Sequence, residues 1–295
     1  MYKQSGIKKS ILFAISIAIL NLGYSQNTNT ALEVNNASTE VVAKPNSKVV
    51  KKAKKYLDKG LKSKSKGKIE DALKKINSAL ETYQGYSEAH FQKGLILFSQ
   101  DKIDEASISF KSAVKHDSNH IQASLYAGKC LFNLDDFSGT VHYLNIFTKN
   151  DDSNSEAWYL LGKSNNILKK FSHAISPLEN AIKLDSNSSE YNLSLGEALI
   201  GVERLVDAIT PLKWAWELNT ENTDILSILG KAQYSTADYI GASLSFSQYL
   251  TNNDSNIEAF YLGGLAYQHL DNNLKAAEFL GKAVELDKND ISKKM

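Results

Sequence analysis

Cysteine is almost absent from this sequence of 295 residues. Cys130 stands alone, so no disulfide can close within the chain and no cysteine-rich zinc or iron–sulfur site can be built. Proline is nearly as scarce, with three residues where average usage would give about fifteen, which favours long uninterrupted helices over turn-rich β structure. Neither sign of charge dominates: 34 Lys and Arg against 33 Asp and Glu leave a formal net charge of +1, which argues against a nucleic-acid-binding protein of the bulk-basic kind. With 42% hydrophobic residues, stability must come from apolar packing. The length suggests about two domains of ordinary size, an expectation that the repeat described below replaces.

The beginning of the chain has the three-part layout of a secretory signal: Lys3, Lys8 and Lys9, an apolar stretch from Ile11 to Leu22, then Gly23-Tyr24-Ser25. The small residues place cleavage between Ser25 and Gln26. The apolar stretch contains Asn21 and is well short of the roughly 20 residues that span a bilayer, so a cleaved signal is favoured over a retained anchor. No cysteine follows the cleavage site to carry a lipid anchor. Residues 26–52 read as a disordered Asn/Thr/Ser-rich linker with Pro45, ending in a lysine-rich lead-in. The expected product is soluble and exported, either periplasmic or secreted.

From residue 53 the sequence is periodic. Glycines stand at Gly60, Gly94, Gly128, Gly162, Gly196, Gly230 and Gly264, each 34 residues after the last. Twelve residues after each comes Ala72, Ala106, Thr140, Ala174, Ala208, Ala242 or Ala276. Sixteen after each comes Ile76, Phe110, Leu144, Leu178, Leu212, Phe246 or Leu280, and nineteen after each Ala79, Ala113, Phe147, Ala181, Ala215, Tyr249 or Ala283. Within Ser155–Ser188, Trp158, Leu161 and Leu168, then Ala174, Leu178, Ala181 and Ile182, recur at helical spacing, so each unit predicts two short amphipathic helices joined near Lys169-Lys170. Helices of about 14 residues are marginal alone, and the small-residue columns let neighbours approach and pool their apolar faces.

These columns resemble the tetratricopeptide repeat, the fourth unit most closely through Trp158, Leu161, Gly162, Ala174, Leu178 and Ala181. The resemblance implies an all-α, right-handed solenoid of seven helix-turn-helix units: 53–86, 87–120, 121–154, 155–188, 189–222, 223–256 and 257–290, with a tail at 291–295. The proline that the family prefers between units is missing. Ser87, Ser155, Ser189 and Thr223 are expected as helix caps, with Glu88, Glu156, Glu190, Asp224 and Glu258 near the positive ends of the helix dipoles. Pro177 and Pro211 fall inside second helices, where a mild bend is expected.

Nothing in the sequence predicts catalysis, a metal or a cofactor. The six histidines are scattered, His116 and His120 straddle the turn between units and read as solvated, and Cys130 occupies a small-residue column. The resemblance places the first helix of each unit on a concave groove that binds protein segments. Its inner positions would be Phe91, Leu95 and Phe98; Leu125, Lys129 and Phe132; Tyr159, Lys163 and Asn166; Leu193, Glu197 and Ile200; Lys231 and Tyr234; Tyr261 and Gln268. This row suggests apolar pockets and cationic anchors for an acidic or C-terminal segment, or else aromatics packed between helices. The Lys and Asn clamp with which some family members hold a C-terminal carboxylate is absent. Near neutrality also conceals a dipole: residues 48–75 hold twelve lysines against Asp58, Glu70 and Asp71. That basic first unit is expected either to keep the end of the stack soluble or to dock on an anionic lipid or polysaccharide surface. The last helix, with Ala276, Phe279, Leu280, Ala283, Val284 and Leu286, has no polar capping helix after it and is expected to self-associate or dock a partner. The expected function is a non-enzymatic, exported scaffold or adaptor, an accessory to envelope assembly or secretion, or alternatively a regulatory module on a partner enzyme. Intact-mass analysis of the protein recovered beyond the membrane is expected to show Gln26 as the first residue; retention of Met1 would refute cleavage.

Overall fold

The computed structural model describes residues 46–294, with side chains to residue 288. The expected signal with its Ser25–Gln26 bond, most of the linker, and the side chains of the tail lie outside the described residues. Among the described residues the chain forms fourteen helices and no strand, in seven antiparallel pairs. The first pair is α1 (Ser47–Lys64) with α2 (Ile69–Thr82), the second α3 (Ser87–Ser99) with α4 (Ile103–His116), and the third α5 (Ile121–Asn133) with α6 (Phe137–Thr148). Then come α7 (Ser155–Ile167) with α8 (Phe171–Leu184), α9 (Ser189–Gly201) with α10 (Leu205–Leu218), α11 (Asp224–Ser235) with α12 (Tyr239–Leu250), and α13 (Ile257–His269) with α14 (Asn273–Lys294). This is the all-α solenoid of seven helix-turn-helix units expected from the period.

The two helices of a unit meet where the periodic glycine faces the large residue sixteen positions on. A Cβ added to Gly128 or Gly162 would come within 2.5 Å of Leu144 or Leu178, and one on Gly94 or Gly196 within 2.6 Å of Phe110 or Leu212. Only a hydrogen fits there, so the helices cross at backbone distance and the large side chain lies across the glycine. That large residue is fully buried in six units, from Ile76 to Phe246, as are the alanines at 72, 79, 106, 113, 174, 181, 208, 215 and 242. In the seventh unit Leu280 is half-buried, because no further unit covers it among the described residues.

The turn inside each unit is equally repetitive. Gly67, Asp101, Asp135, Lys169, Glu203, Ala237 and Asp271 all have φ between 56° and 72°. The N–H of the next residue bends back to a carbonyl five positions earlier, as in Lys102 to Leu97 at 3.0 Å and Lys170 to Asn165 at 2.8 Å. This Schellman closure satisfies the carbonyls at the end of the first helix and reverses the chain, and it uses glycine only once.

Each second helix packs on the first helix of the following unit. First helices of successive units also touch, α5 with α7, α7 with α9 and α11 with α13, whereas second helices do not to comparable extent. The first helices therefore crowd the inner, concave side of the stack and the second helices form its outer side.

Several local expectations need correction. The lysine-rich lead-in is part of the first helix: α1 starts at Ser47, capped by Asn46, whose side chain accepts from Lys48 N–H at 2.9 Å. Two caps lie one residue earlier than expected, at Asn154 and Ser188, while Thr223 occupies a cap position without a side-chain bond and Asn256 caps the seventh unit. Ser87 and Ser189 instead donate across the unit to the carbonyls of Ala113 and Ala215 at 2.8 and 2.7 Å, tying the two helices together. Helices α8 and α10 continue through Pro177 and Pro211.

Because the glycine contact is steric, its partners should be coupled. Gly196→Ala is expected to cost about 1–3 kcal/mol by overpacking, and Leu212→Ala about 2–5 kcal/mol by leaving a cavity. The double substitution should cost clearly less than the sum, which chemical denaturation of the four proteins measures; simple additivity would show that the two residues do not share the space.

Candidate partner-binding face

The inner positions carry an ion-pair ladder that runs from one unit to the next. Lys129 Nζ donates to Glu156 at 2.5 Å and Lys231 Nζ to Glu258 at 2.7 Å. Between them Lys163 Nζ donates to the Tyr159 hydroxyl at 2.7 Å, and that hydroxyl donates to Glu190 at 3.3 Å. Within the second unit His120 partners the acidic row instead, with Nε2 3.4 Å from Glu88. The His120 hydrogen bond holds the Glu88 carboxyl below its usual range despite partial burial. The acidic row expected to serve the helix dipoles thus also stitches neighbouring units together. Each lysine and its carboxylate are 27 residues apart, which puts one at the ninth position of a unit and the other at the second position of the next.

The expected cationic anchors are therefore already engaged, which changes the polarity of the face. Among residues 87–290 its inner positions hold Glu88, Glu156, Glu190, Glu197, Asp224 and Glu258 against Lys129, Lys163 and Lys231. Lys163 faces both Glu190 and Glu197; burial opposes its charge, but the Tyr159 hydrogen bond and the two carboxylates raise its pKa above the usual lysine value. The Glu197 carboxyl is raised by desolvation, only partly offset by Lys163. Its side chain is nevertheless exposed. A group that water reaches while protein surrounds it on several sides lies on a concave floor.

Other expected inner residues divide by burial. Leu125 and Tyr159 are buried at 6% exposure, so they are packing residues and not open groove positions. The Tyr159 ring stacks on Tyr191 at 4.6 Å. Phe91 is half-buried against Phe110, His120 and Tyr126, and Phe98 against Phe110 and Tyr126. Leu95, Phe132, Leu193, Ile200, Tyr234 and Tyr261 are also half-buried and present one edge to solvent. Asn166 reaches across to the Ser194 carbonyl at 2.7 Å, while its Oδ1 is buried without a hydrogen-bond partner. Sequence periodicity places all of these on one stripe, but which edge of the stripe is covered depends on the adjacent unit.

His120 is not the solvated turn residue expected. Its Nδ1 accepts from Ala123 N–H at 3.2 Å and caps α5, which assigns the proton to Nε2. His116 stacks instead on His90, at 5.5 Å between ring centroids. No group of three metal-ligating side chains occurs among the described residues. Cys130 is fully buried, with its thiol pushed up to about 12 by desolvation, which leaves it inert as a nucleophile at neutral pH. No described helix is long and apolar enough to cross a membrane. The outer side carries exposed apolar residues that the inner-face reading misses: Val206, Trp214, Ile240, Leu244 and Leu274 on second helices.

Seven antiparallel helix pairs, sealed by a glycine and a large side chain and stacked with their first helices inward, define an α-helical repeat solenoid. A family model for the tetratricopeptide repeat matches residues 87–120 and 257–290, the second and seventh units of the period. The five units between and before them share the same columns and turn, so the fold is that of a tetratricopeptide-repeat solenoid. Solved structures agree in fold. The crystal structure of YrrB, described as a TPR protein with an unusual peptide-binding site, superposes with a TM-score of 0.55 at 20% identity, over 63% of this chain and 98% of that one. The crystal structure of MamA gives 0.52 at 24% identity, over 59% and 96%. No curated protein matches the sequence.

The raised Glu197 carboxyl has a stability consequence. The native state holds that proton more tightly than the unfolded chain, so the contribution is present below the ordinary glutamate pKa and is lost as pH rises through the folded value. Glu197→Gln is expected to raise the melting temperature at neutral pH and to leave it unchanged in acid below both values. Equal gains at both pH values in thermal melts would refute this.

Proposed function

We propose that this chain is an exported, non-enzymatic scaffold or adaptor that holds protein segments along its inner face, as an accessory factor in envelope assembly or secretion. The observation that carries the binding reading is the inner face of units two to five. There, half-buried apolar edges at Phe91, Leu95, Phe98, Leu193 and Ile200 alternate with polar groups, including a buried Asn166 oxygen with an unused acceptor. A concave helical surface that combines apolar edges with a few fixed polar groups suits an extended or helical segment of another chain. YrrB, similar in fold, is described as having a peptide-binding site, which supports a protein segment as the occupant. The scattered histidines, the inert thiol and the carboxylates paired with lysines favour a scaffold over a catalyst. The exported location rests on the first 25 residues of the sequence, and the envelope role follows from that location.

A photo-crosslinking residue at Leu193, on the inner face, is expected to capture partner proteins in the native cell that the same residue at Ser176, exposed on α8 of the outer side, does not. Equal capture from both positions, identified by mass spectrometry, would overturn the groove reading; capture from Ser176 alone would move the binding face to the outer side.

A further inference from the structure

The two halves of the chain's charge lie on surfaces of different kinds. On α1, Lys51, Lys55, Lys59 and Lys62 are all exposed and fall on one stripe at three- and four-residue spacing. The stripe lies opposite Ala53, Leu57 and Gly60, which bury the helix against α2. Lys52, Lys54, Lys66 and Lys68 widen the basic surface, and among the described residues α1 enters no ion pair with a neighbouring unit. Beside it is a shallow cleft at the front of the stack, where Lys48, Lys52 and Tyr56 face Glu81.

The complementary surface is the inner face of the fifth and sixth units. Lys129 and Lys231 are each committed to one glutamate, and Lys163 donates to the Tyr159 hydroxyl, which in turn donates to Glu190. Glu197 is desolvated on the concave floor, and Asp224 takes part in no ion pair among the described residues. The carboxylate excess of the inner face is therefore concentrated there. Leu193 and Ile200, half-buried on the same helix as Glu197, supply an apolar border. A lysine-striped helix is a charge complement for this floor, and the chain itself contains one. Within one molecule three units of continuous helix packing separate α1 from this floor, so the match is between molecules.

We propose that the chain self-associates head to tail, the lysine stripe of α1 in one copy docking on the acidic inner face of the fifth and sixth units of a second copy. This rests on the inner face being the binding face and names one occupant for it. The contact joins two different surfaces, so it leaves both a free helix and a free groove at the ends and propagates into open chains instead of closing as a symmetric dimer. Its attraction is between exposed charges, so it is strong at low ionic strength and is screened as the Debye length shrinks.

The test is a complementary charge reversal, followed by sedimentation velocity on the full chain as the cell processes it. The unaltered protein is expected to form species that grow with concentration at low ionic strength and dissociate in high salt. The variant Lys51→Glu, Lys55→Glu, Lys59→Glu, Lys62→Glu should be monomeric alone, and so should Glu197→Lys, Asp224→Lys. Mixed, the two should assemble again, because the acidic helix of the first meets the basic floor of the second while the unaltered lysine stripe meets the unaltered acidic floor. Circular dichroism melts check that each variant is folded, and Glu197→Gln, Asp224→Asn replaces the lysine variant if it is not, with weaker assembly expected. A monomeric unaltered protein at low ionic strength, assembly that survives either reversal, or a mixture that stays monomeric would each overturn the proposal. If self-association fails while Leu193 still crosslinks other proteins, the groove reading survives and only the occupant is wrong.

Discussion

The contact between a periodic glycine and the large residue sixteen positions later is the constraint on which the rest of the molecule depends. A helix of 13 residues such as α7 or α9 has little stability of its own in water, and its partner of 14 has scarcely more. At Gly162 and Gly196 the backbones approach until Leu178 and Leu212 lie directly on the helix surface, which pools two marginal helices into one buried unit. The left-handed residue at the turn, repeated from Gly67 to Asp271, sets the reversal at the same point each time. Identical pairing and identical turns produce units of one shape, and units of one shape must stack regularly.

Regular stacking then decides where chemistry can be placed. Crowding of the first helices on one side makes that side concave, and any residue at the second, fifth, ninth or twelfth position of a unit faces it. Lysine at the ninth position is brought to the acid at the second position of the next unit, as in Lys129 with Glu156 and Lys231 with Glu258. Such exposed pairs contribute little stability singly. Their larger effect is to cancel the positive charge of the face, so that the carboxylates around Glu197 set its sign. A row that reads in sequence as anchors for an acidic partner becomes, once folded, a surface for a basic one.

The repeat, the helix count, the small-residue columns and the buried role of Cys130 were all legible in the sequence, because each depends on spacing along one chain and helical period converts spacing into faces. The site was legible only as a stripe. Tyr159 and Leu125 share the stripe with Leu193, yet the first two are covered and the third is not, because burial at the edge of a helix depends on side chains from the neighbouring unit. The caps show the same limit on a smaller scale: Ser189 was read as a cap, but Ser188 performs that role while Ser189 bonds across the unit to Ala215. His120, read as solvated, is drawn in by Glu88 and Phe91 from the first helix of the same unit.

By itself, then, the sequence determined an all-α chain of seven equal units and a strongly basic first helix, since period, composition and local charge are properties of the chain in order. Tertiary structure alone decided which charges meet, which aromatics remain open and what sign the inner face carries. Those outcomes depend on residues about one unit apart in sequence that become neighbours only when the stack has formed, and on the desolvation that a concave surface imposes on groups such as Glu197.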